Sequence, residues 1–131
     1  MEEVLAFLTE NPIFYLATVD GHTPKVRPFG FVMNHNGRLC FCTGNGKPVY
    51  RQLLANPAFE LSAAAKDGRW LRLKGNAVFI TSRESKKAAL DFMPSLRRLY
   101  SEDDTVFEIF YAAEAEATFA SMGGESRTVQ L

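Results

Sequence analysis

Four short turn signals restrict most strongly what this chain can fold into. Asp20-Gly21, Asn36-Gly37, Asp67-Gly68 and Gly123-Gly124 each stand between extended runs rich in apolar and β-branched residues. Links this short cannot carry a helical crossover, so the runs they join must pair antiparallel. The runs are Ile13 to Val19, Lys25 to Met33, Leu39 to Thr43, Phe59 to Ala65, Trp70 to Ile80, Val106 to Tyr111, Ala115 to Ala120 and Thr128 to Leu131. Pro28 lacks an N–H and belongs at an edge or an opening of a ladder, and Gly75 suggests a bulge in its strand.

Helical spacing is confined to three places. Val4, Leu5 and Leu8 mark a helix over Glu2 to Glu10, which Asn11-Pro12 stops. Pro48 suits the first turn of a helix over Val49 to Ala55, which Asn56-Pro57 ends. Thr81 and Glu84 have capping-box spacing ahead of Ala89, Phe92, Met93 and Leu96, and Pro94 divides that helix. The expected architecture is mainly β with some α, a small antiparallel barrel with helices at its ends.

With 131 residues, 47% of them apolar and 23% charged, one domain over 1-131 is expected. The formal net charge of zero disfavours a general basic field for nucleic acid. No apolar run approaches the length of about 18 that a membrane span needs. The opening MEEVLAFLTENP lacks the basic-then-apolar order of a secretory signal, so a cytoplasmic location is expected. Cys40 and Cys42 alone cannot make a disulfide scaffold; with no histidine or third cysteine beside them, they read as buried small apolar groups rather than metal ligands.

The loop Thr43-Gly44-Asn45-Gly46-Lys47 carries the clearest chemistry. Its glycines free backbone N–H groups to converge, a hydroxyl, an amide and an ammonium surround them, and a helix starts at once. That combination suits a phosphate. The glycine spacing and Pro48 rule out a magnesium-dependent Walker loop, so the phosphate of a cofactor tail fits better than a triphosphate to be cleaved. Composition alone makes Arg27 an outward-facing strand residue. If Lys25 to Met33 pairs with Leu39 to Thr43 through Asn36-Gly37, however, Arg27 meets the same site as Lys47 and offers a fork of N–H bonds.

Other groups suggest less. His22 and His35 fall in turns, which leaves no hydrolase triad. Glu102-Asp103-Asp104 looks like a solvated cap. Phe29, Phe31, Phe41 and Trp70 near basic residues would suit a stacking platform for single-stranded nucleic acid, although core packing explains them equally well.

Three stretches together, IFYLATVDGHTPKVRPFGFV, GRLCFCTGNGKPVYRQLLANPAFEL and WLRLKGNAVFI, resemble the FMN-binding split-barrel family related to pyridoxamine 5'-phosphate oxidase. The similarity covers roughly residues 1 to 120. Its most specific parts are the Arg-Pro of the second strand, the Thr-x-x-x-Lys loop and the Asn-Pro that ends the next helix. The resemblance implies a six-stranded antiparallel split barrel with short flanking helices, acting as a homodimer with FMN in clefts between protomers. It places Arg27, Thr43 and Lys47 at the phosphate, with Asn45 beside them, and the backbone of Pro28 and Phe29 at the flavin ring. Trp70 and Arg72 match positions that reach the flavin from the second protomer.

The implied activity is hydride transfer through flavin N5 to or from a small molecule, with a reduced nicotinamide as one possible donor. Alternatives on the same fold are a flavin-holding or sensing protein without turnover and a deazaflavin-dependent reductase; haem fits worst, because neither histidine is placed as an axial ligand. The C-terminal SMGGESRTVQL lacks the tryptophan and arginine motif of the true oxidase, so oxidation of vitamin B6 is not expected. Gly46 also stands where the family has a second basic residue before the lysine. The resemblance names no catalytic side chain and no metal.

Overall fold

The computed structural model describes residues 1–131. Helix α1 (Glu2–Glu10) leads into β1 (Phe14–Asp20), β2 (Thr23–Phe29), β3 (Met33–His35) and β4 (Arg38–Gly44). Then come α2 (Pro48–Ala55), β5 (Ala58–Ala64), β6 (Arg69–Phe79), α3 (Arg83–Phe92), a 3₁₀ turn (Pro94–Arg98), β7 (Phe107–Ser121) and β8 (Arg127–Gln130). All strands belong to one antiparallel sheet in the order β2-β1-β5-β6-β7-β4-β3, with β8 added along β7. This is the expected split barrel, with β3 and β8 as short additions. No helix is long and apolar enough to cross a membrane.

Two strand assignments differ from expectation. The run Lys25 to Met33 is not one strand: β2 ends at Phe29 and pairs with β1, Arg27 opposite Leu16. Only Met33–His35 forms the hairpin with β4, through Asn36 and Gly37 at φ 54° and 78°, as a tight two-residue turn requires. The two runs Val106 to Tyr111 and Ala115 to Ala120 are instead one strand of 15 residues.

That long strand carries the bulge, rather than Gly75 carrying it on β6. Lys74 faces Glu116 and Asn76 faces Ala113, so Glu114 and Ala115 together oppose Gly75. Glu114 takes φ 53°, and the extra residue shifts the side-chain phase by one. Phe110 and Ala112 point to the core before the bulge; Ala115, Ala117 and Phe119 do so after it. Gly75 is needed for close approach, since a Cβ there would lie 3.2 Å from the Ala113 carbonyl.

The barrel interior is filled by phenylalanine rings. Phe14, Phe41 and Phe110 are fully buried, and Phe29 sits within 6.3 Å of Phe14 and 6.4 Å of Phe110. Each such burial contributes roughly 1.5–3 kcal/mol. Helices α1 and α2 add Val4, Phe7, Leu8, Val49 and Leu53 to the same core. Helix α3 packs instead on the outside of β3, β4 and the first half of β7, where Ala89 and Leu90 meet Phe31, Met33, Cys40 and Ile109. Its cap is Ser82 with Ser85, not Thr81 with Glu84; Thr81 donates to Glu108 instead. The outer face of β2, β1, β5 and β6 has no helix over it.

Candidate functional site

Strand alternation places Arg27 on the inner side of edge strand β2. It continues the cross-strand row Leu16, Leu61, Leu73 and Ala117, all of them core residues. The expectation of an outward arginine is therefore reversed: Val26 and Pro28 face out, and Val26 is 66% exposed.

A buried polar network holds the guanidinium. Arg27 Nη1 donates to the Leu16 carbonyl at 3.0 Å and to Thr18 Oγ1 at 2.8 Å, while Nη2 donates to Gln52 Oε1 at 2.6 Å. Thr18 in turn donates to the same Gln52 oxygen at 2.6 Å. Thr18 and Gln52 are only 2% and 4% exposed, so no water competes for them. Burial draws the arginine pKa down somewhat, but arginine keeps its charge in proteins. Three of its five N–H bonds are spent on the network, which leaves two for a ligand.

Arg27 borders a cavity of about 290 Å³ at the gap between β2 and β4. Arg27, Pro28 and Phe29 form one wall, Cys42 and Thr43 another, and Lys47 and Val49 bring in the start of α2. Thr43 is 4% exposed, yet its hydroxyl bonds to nothing in the chain and opens on the cavity. Lys47, the residue before α2, also has no ion-pair partner. Two cations and a free hydroxyl thus converge from three elements, with no carboxylate or histidine among the lining residues. Such a set suits a phosphate, with the α2 N-terminus adding its dipole.

Arg27, Pro28, Phe29, Thr43 and Lys47 are brought together as expected, though not by the expected hairpin. Asn45 is not part of the group. Its amide turns away to donate to the Thr105 carbonyl at 2.7 Å and Glu108 at 3.0 Å, so it fastens the loop to β7. Trp70 and Arg72 lie on the outer face of β6, away from this cavity. Phe29, Phe31 and Phe41 pack in the two cores rather than forming an exposed platform.

The remaining wall was not anticipated. Met93, Leu96, Leu99 and Tyr100, from the segment after α3, roof the cavity with apolar surface. Tyr100 stacks on Phe107 at 4.4 Å and 14°, and its hydroxyl sits where a Cβ on Gly44 would come to 3.0 Å. The signal in the sequence was the spacing of Leu96, Leu99 and Tyr100, one face of a helical turn beyond Pro94.

A larger hollow of about 510 Å³ lies on the outer face, between Pro24, Ala17, Glu60, Lys74 and Glu114. It sets two carboxylates, Glu60 and Glu114, beside one cation, Lys74, that is already paired with Glu116, so size alone does not mark the site.

Residues 1–121 match the sequence profile described as pyridoxamine 5'-phosphate oxidase. The chain belongs to that family. A crystal structure of a NimC/NimA family protein from Clostridium acetobutylicum is similar over 100% of this chain and 92% of its own, at 41% identity and a TM-score of 0.96. A pyridoxamine 5'-phosphate oxidase-related, FMN binding protein from Nostoc punctiforme shares the fold at 13% identity and a TM-score of 0.66, over 99% of this chain and 95% of its own. A heme binding protein from Mycobacterium smegmatis shares it at 17% identity and 0.76, over 98% of this chain and 57% of its own. A search of curated proteins gave no match. Proteins that share this fold are thus described with more than one cofactor.

Proposed function

We propose that the protein binds FMN, with the phosphate between Arg27, Thr43 and Lys47, and serves as a flavin-dependent oxidoreductase on a small molecule. The observation that carries this is the set of unspent donors: two N–H bonds of a locked arginine, a free hydroxyl and an unpaired ammonium around one cavity. They match a dianion in charge and number. Pro28, Phe29 and Gly30 present an edge of apolar side chains and backbone beside the phosphate end, suited to a flat ring.

When bound, FMN would supply hydride transfer at its N5. The chain's own part is to fix the phosphate, offer strand edge to the ring and keep water off through Leu96, Leu99 and Tyr100. No carboxylate or imidazole lines the cavity to act as a general base, so the chain itself supplies position and electrostatics rather than proton transfer by an acid/base pair.

The cavity by itself is small for a whole flavin nucleotide, at the low end of ligand sites of roughly 300–1,000 Å³. The proposal therefore includes a homodimer. The uncovered outer face offers Ile13, Tyr15 and Val26 as large exposed apolar groups, flanked by Pro24 and Pro28. Contiguous apolar surface of that kind favours a partner. A second copy seated there would bring Trp70 and Arg72 of its own outer face toward the ring.

The test is the visible spectrum of the purified protein before and after adding FMN and desalting. Flavin bands retained at one per chain support the assignment. Lys47→Ala with Thr43→Val should lose the bands while melting like the flavin-free wild type; retention of full flavin there overturns the phosphate site. Lys47→Ala with Arg27→Ala should release flavin too, at some loss of stability through the Thr18–Gln52 network. Anaerobic mixing with NADH or NADPH separates an enzyme, whose flavin bleaches, from a flavin holder, whose flavin does not.

A further inference from the structure

The donors assigned to the anion so far stand on β2, on β4 and at the start of α2. The roof of the cavity carries one more. Tyr100 lines the same space as Arg27, Thr43 and Lys47. Its hydroxyl has no hydrogen-bond partner in the chain, yet it is open to the cavity rather than sealed in the interior. The other roof residues, Met93, Leu96 and Leu99, have no side-chain N–H or O–H to offer.

Three restraints fix where that hydroxyl sits. The Tyr100 N–H donates to the Leu96 carbonyl at 3.0 Å, and the next N–H along, that of Ser101, donates to the Asp104 carboxylate at 2.8 Å. The ring stacks on Phe107, itself 1% exposed, with centroids 4.4 Å apart and planes 14° from parallel. That stack needs only the ring, and a phenylalanine would satisfy it. The hydroxyl is thus aimed by contacts that make no use of it.

Gly44 is its counterpart. It has no left-handed φ, so the backbone does not call for glycine there. A Cβ at this position would come to 3.0 Å from the Tyr100 hydroxyl oxygen, 3.4 Å from Cε1 and 3.6 Å from Cζ, and these are the nearest atoms it would meet. The missing side chain makes room for this one ring. Gly44 follows Thr43 on β4, so the two hydroxyls approach the end of the strand from its opposite faces. The Lys47 ammonium is near as well. Burial lifts the Cys42 thiol, which shares the Gly44 face of β4, and Lys47 pulls against that rise. Glu108, the carboxylate opposite Thr43, is engaged on its two oxygens by Thr81 and Asn45.

We infer that Tyr100 is a cofactor-binding residue whose hydroxyl donates to the FMN phosphate, and that Gly44 lacks a side chain to admit it. The inference rests on the phosphate reading above and extends it to the segment after α3. A hydroxyl beside two cations adds a charge-assisted hydrogen bond to the dianion without adding charge. Because Tyr100 belongs to the roof, the same bond fastens that segment over the loaded site.

The experiment is fluorescence titration of the flavin-free protein with FMN and with riboflavin, which has the ring but no phosphate, together with the phosphorus NMR resonance of bound FMN. Wild type is compared with Tyr100→Phe, which removes one hydroxyl and keeps the stack on Phe107. The expected result is FMN affinity lower by about tenfold, the size of a hydrogen bond to a charged group. Riboflavin affinity should hold, and the phosphorus resonance should move. Unchanged FMN affinity with an unmoved resonance overturns the inference and leaves the site of Arg27, Thr43 and Lys47 standing. An equal loss for both flavins does the same, since it assigns the hydroxyl to the ring or to packing. Gly44→Ala pushes the hydroxyl aside and should weaken FMN by a similar factor, with no further loss when combined with Tyr100→Phe. Losses that add in the double variant overturn the role given to Gly44. Thermal melting of the flavin-free variants checks that each is folded. If the wild type binds neither flavin, the phosphate reading fails and this inference with it.

Discussion

Gln52 Oε1 accepts the Arg27 Nη2–H at 2.6 Å, which ties a cation on an edge strand to a helix that the strand does not pair with. The same oxygen takes the Thr18 hydroxyl, so one buried amide fixes the direction of the arginine. Gln52→Leu leaves both groups without an acceptor and should cost about 2 kcal/mol of stability. FMN affinity should fall about tenfold as the guanidinium loosens. Gln52→Glu keeps the acceptor and the fold but neutralises Arg27, so it should melt near the wild type and still bind FMN weakly. Melting curves and FMN titrations on both variants check this; unchanged affinity in both would show that Gln52 does not position Arg27.

Asp104 organises the loop before β7. Its carboxylate accepts from the backbone N–H of Ser101 at 2.8 Å, Phe107 at 2.9 Å and Val106 at 3.1 Å. Burial by itself raises its pKa; the N–H groups of Phe107, Ser101 and Val106, with the Lys86 ammonium, outweigh that and hold the carboxyl below its usual value. A depressed folded pKa stabilises the native state above the unfolded value, and that stability is lost as pH falls through the folded one. Asp104→Ala should therefore be less stable at pH 7 by about 2 kcal/mol. The deficit should narrow below about pH 4. Urea unfolding at pH 7 and pH 3 measures it; an equal deficit at both pH values contradicts the account.

Burial pushes the Cys40 thiol up to about 11 and the Cys42 thiol up to about 12. Only the thiolate reacts, so iodoacetamide at pH 8 should label both at least about a hundredfold more slowly than free cysteine. Mass spectrometry over time reads the rate. Labelling of either at the free rate would mean that α3 does not stay seated on β4.

Glu114 holds a left-handed conformation at φ 53°, which glycine adopts without cost. Glu114→Gly should raise stability by about 1 kcal/mol, and Glu114→Val should lower it by more than that. Differential scanning calorimetry orders the three proteins. Loss of stability in the glycine variant would place the strain elsewhere.

Much of this arrangement was legible in the residues. The turn pairs Asp20-Gly21, Asn36-Gly37 and Asp67-Gly68 located strands because their backbone demands are local. The site was half legible. Thr43 and Lys47 could be read from their loop, but Arg27 came to them for another reason than the hairpin that suggested it. Alternation on Lys25-Val26-Arg27-Pro28 would ordinarily put the apolar pair inside. Here the polar pair faces in, toward α2 and the cavity, and the apolar pair joins an uncovered face. Periodicity records which side of a strand is apolar, not what lies against it. Asn45 misled for a similar reason: a loop amide suits a phosphate or a neighbouring strand, and Glu108 and Thr105, some 60 residues on, took it.

The sheet path ends at β2 on one side and β3 on the other, and no ladder joins β2 to β4 across the site. A ligand gripped by Arg27 from one edge and by Thr43 and Lys47 from the other would act as the missing hoop around these staves. Folding and loading then form a single equilibrium, in which every rise in free ligand adds RT ln(1 + [L]/Kd) to the cohesion of the chain. In a cell starved of that ligand, the same polypeptide would be the looser species and the first to be degraded. Its abundance would follow cofactor supply without any dedicated regulator.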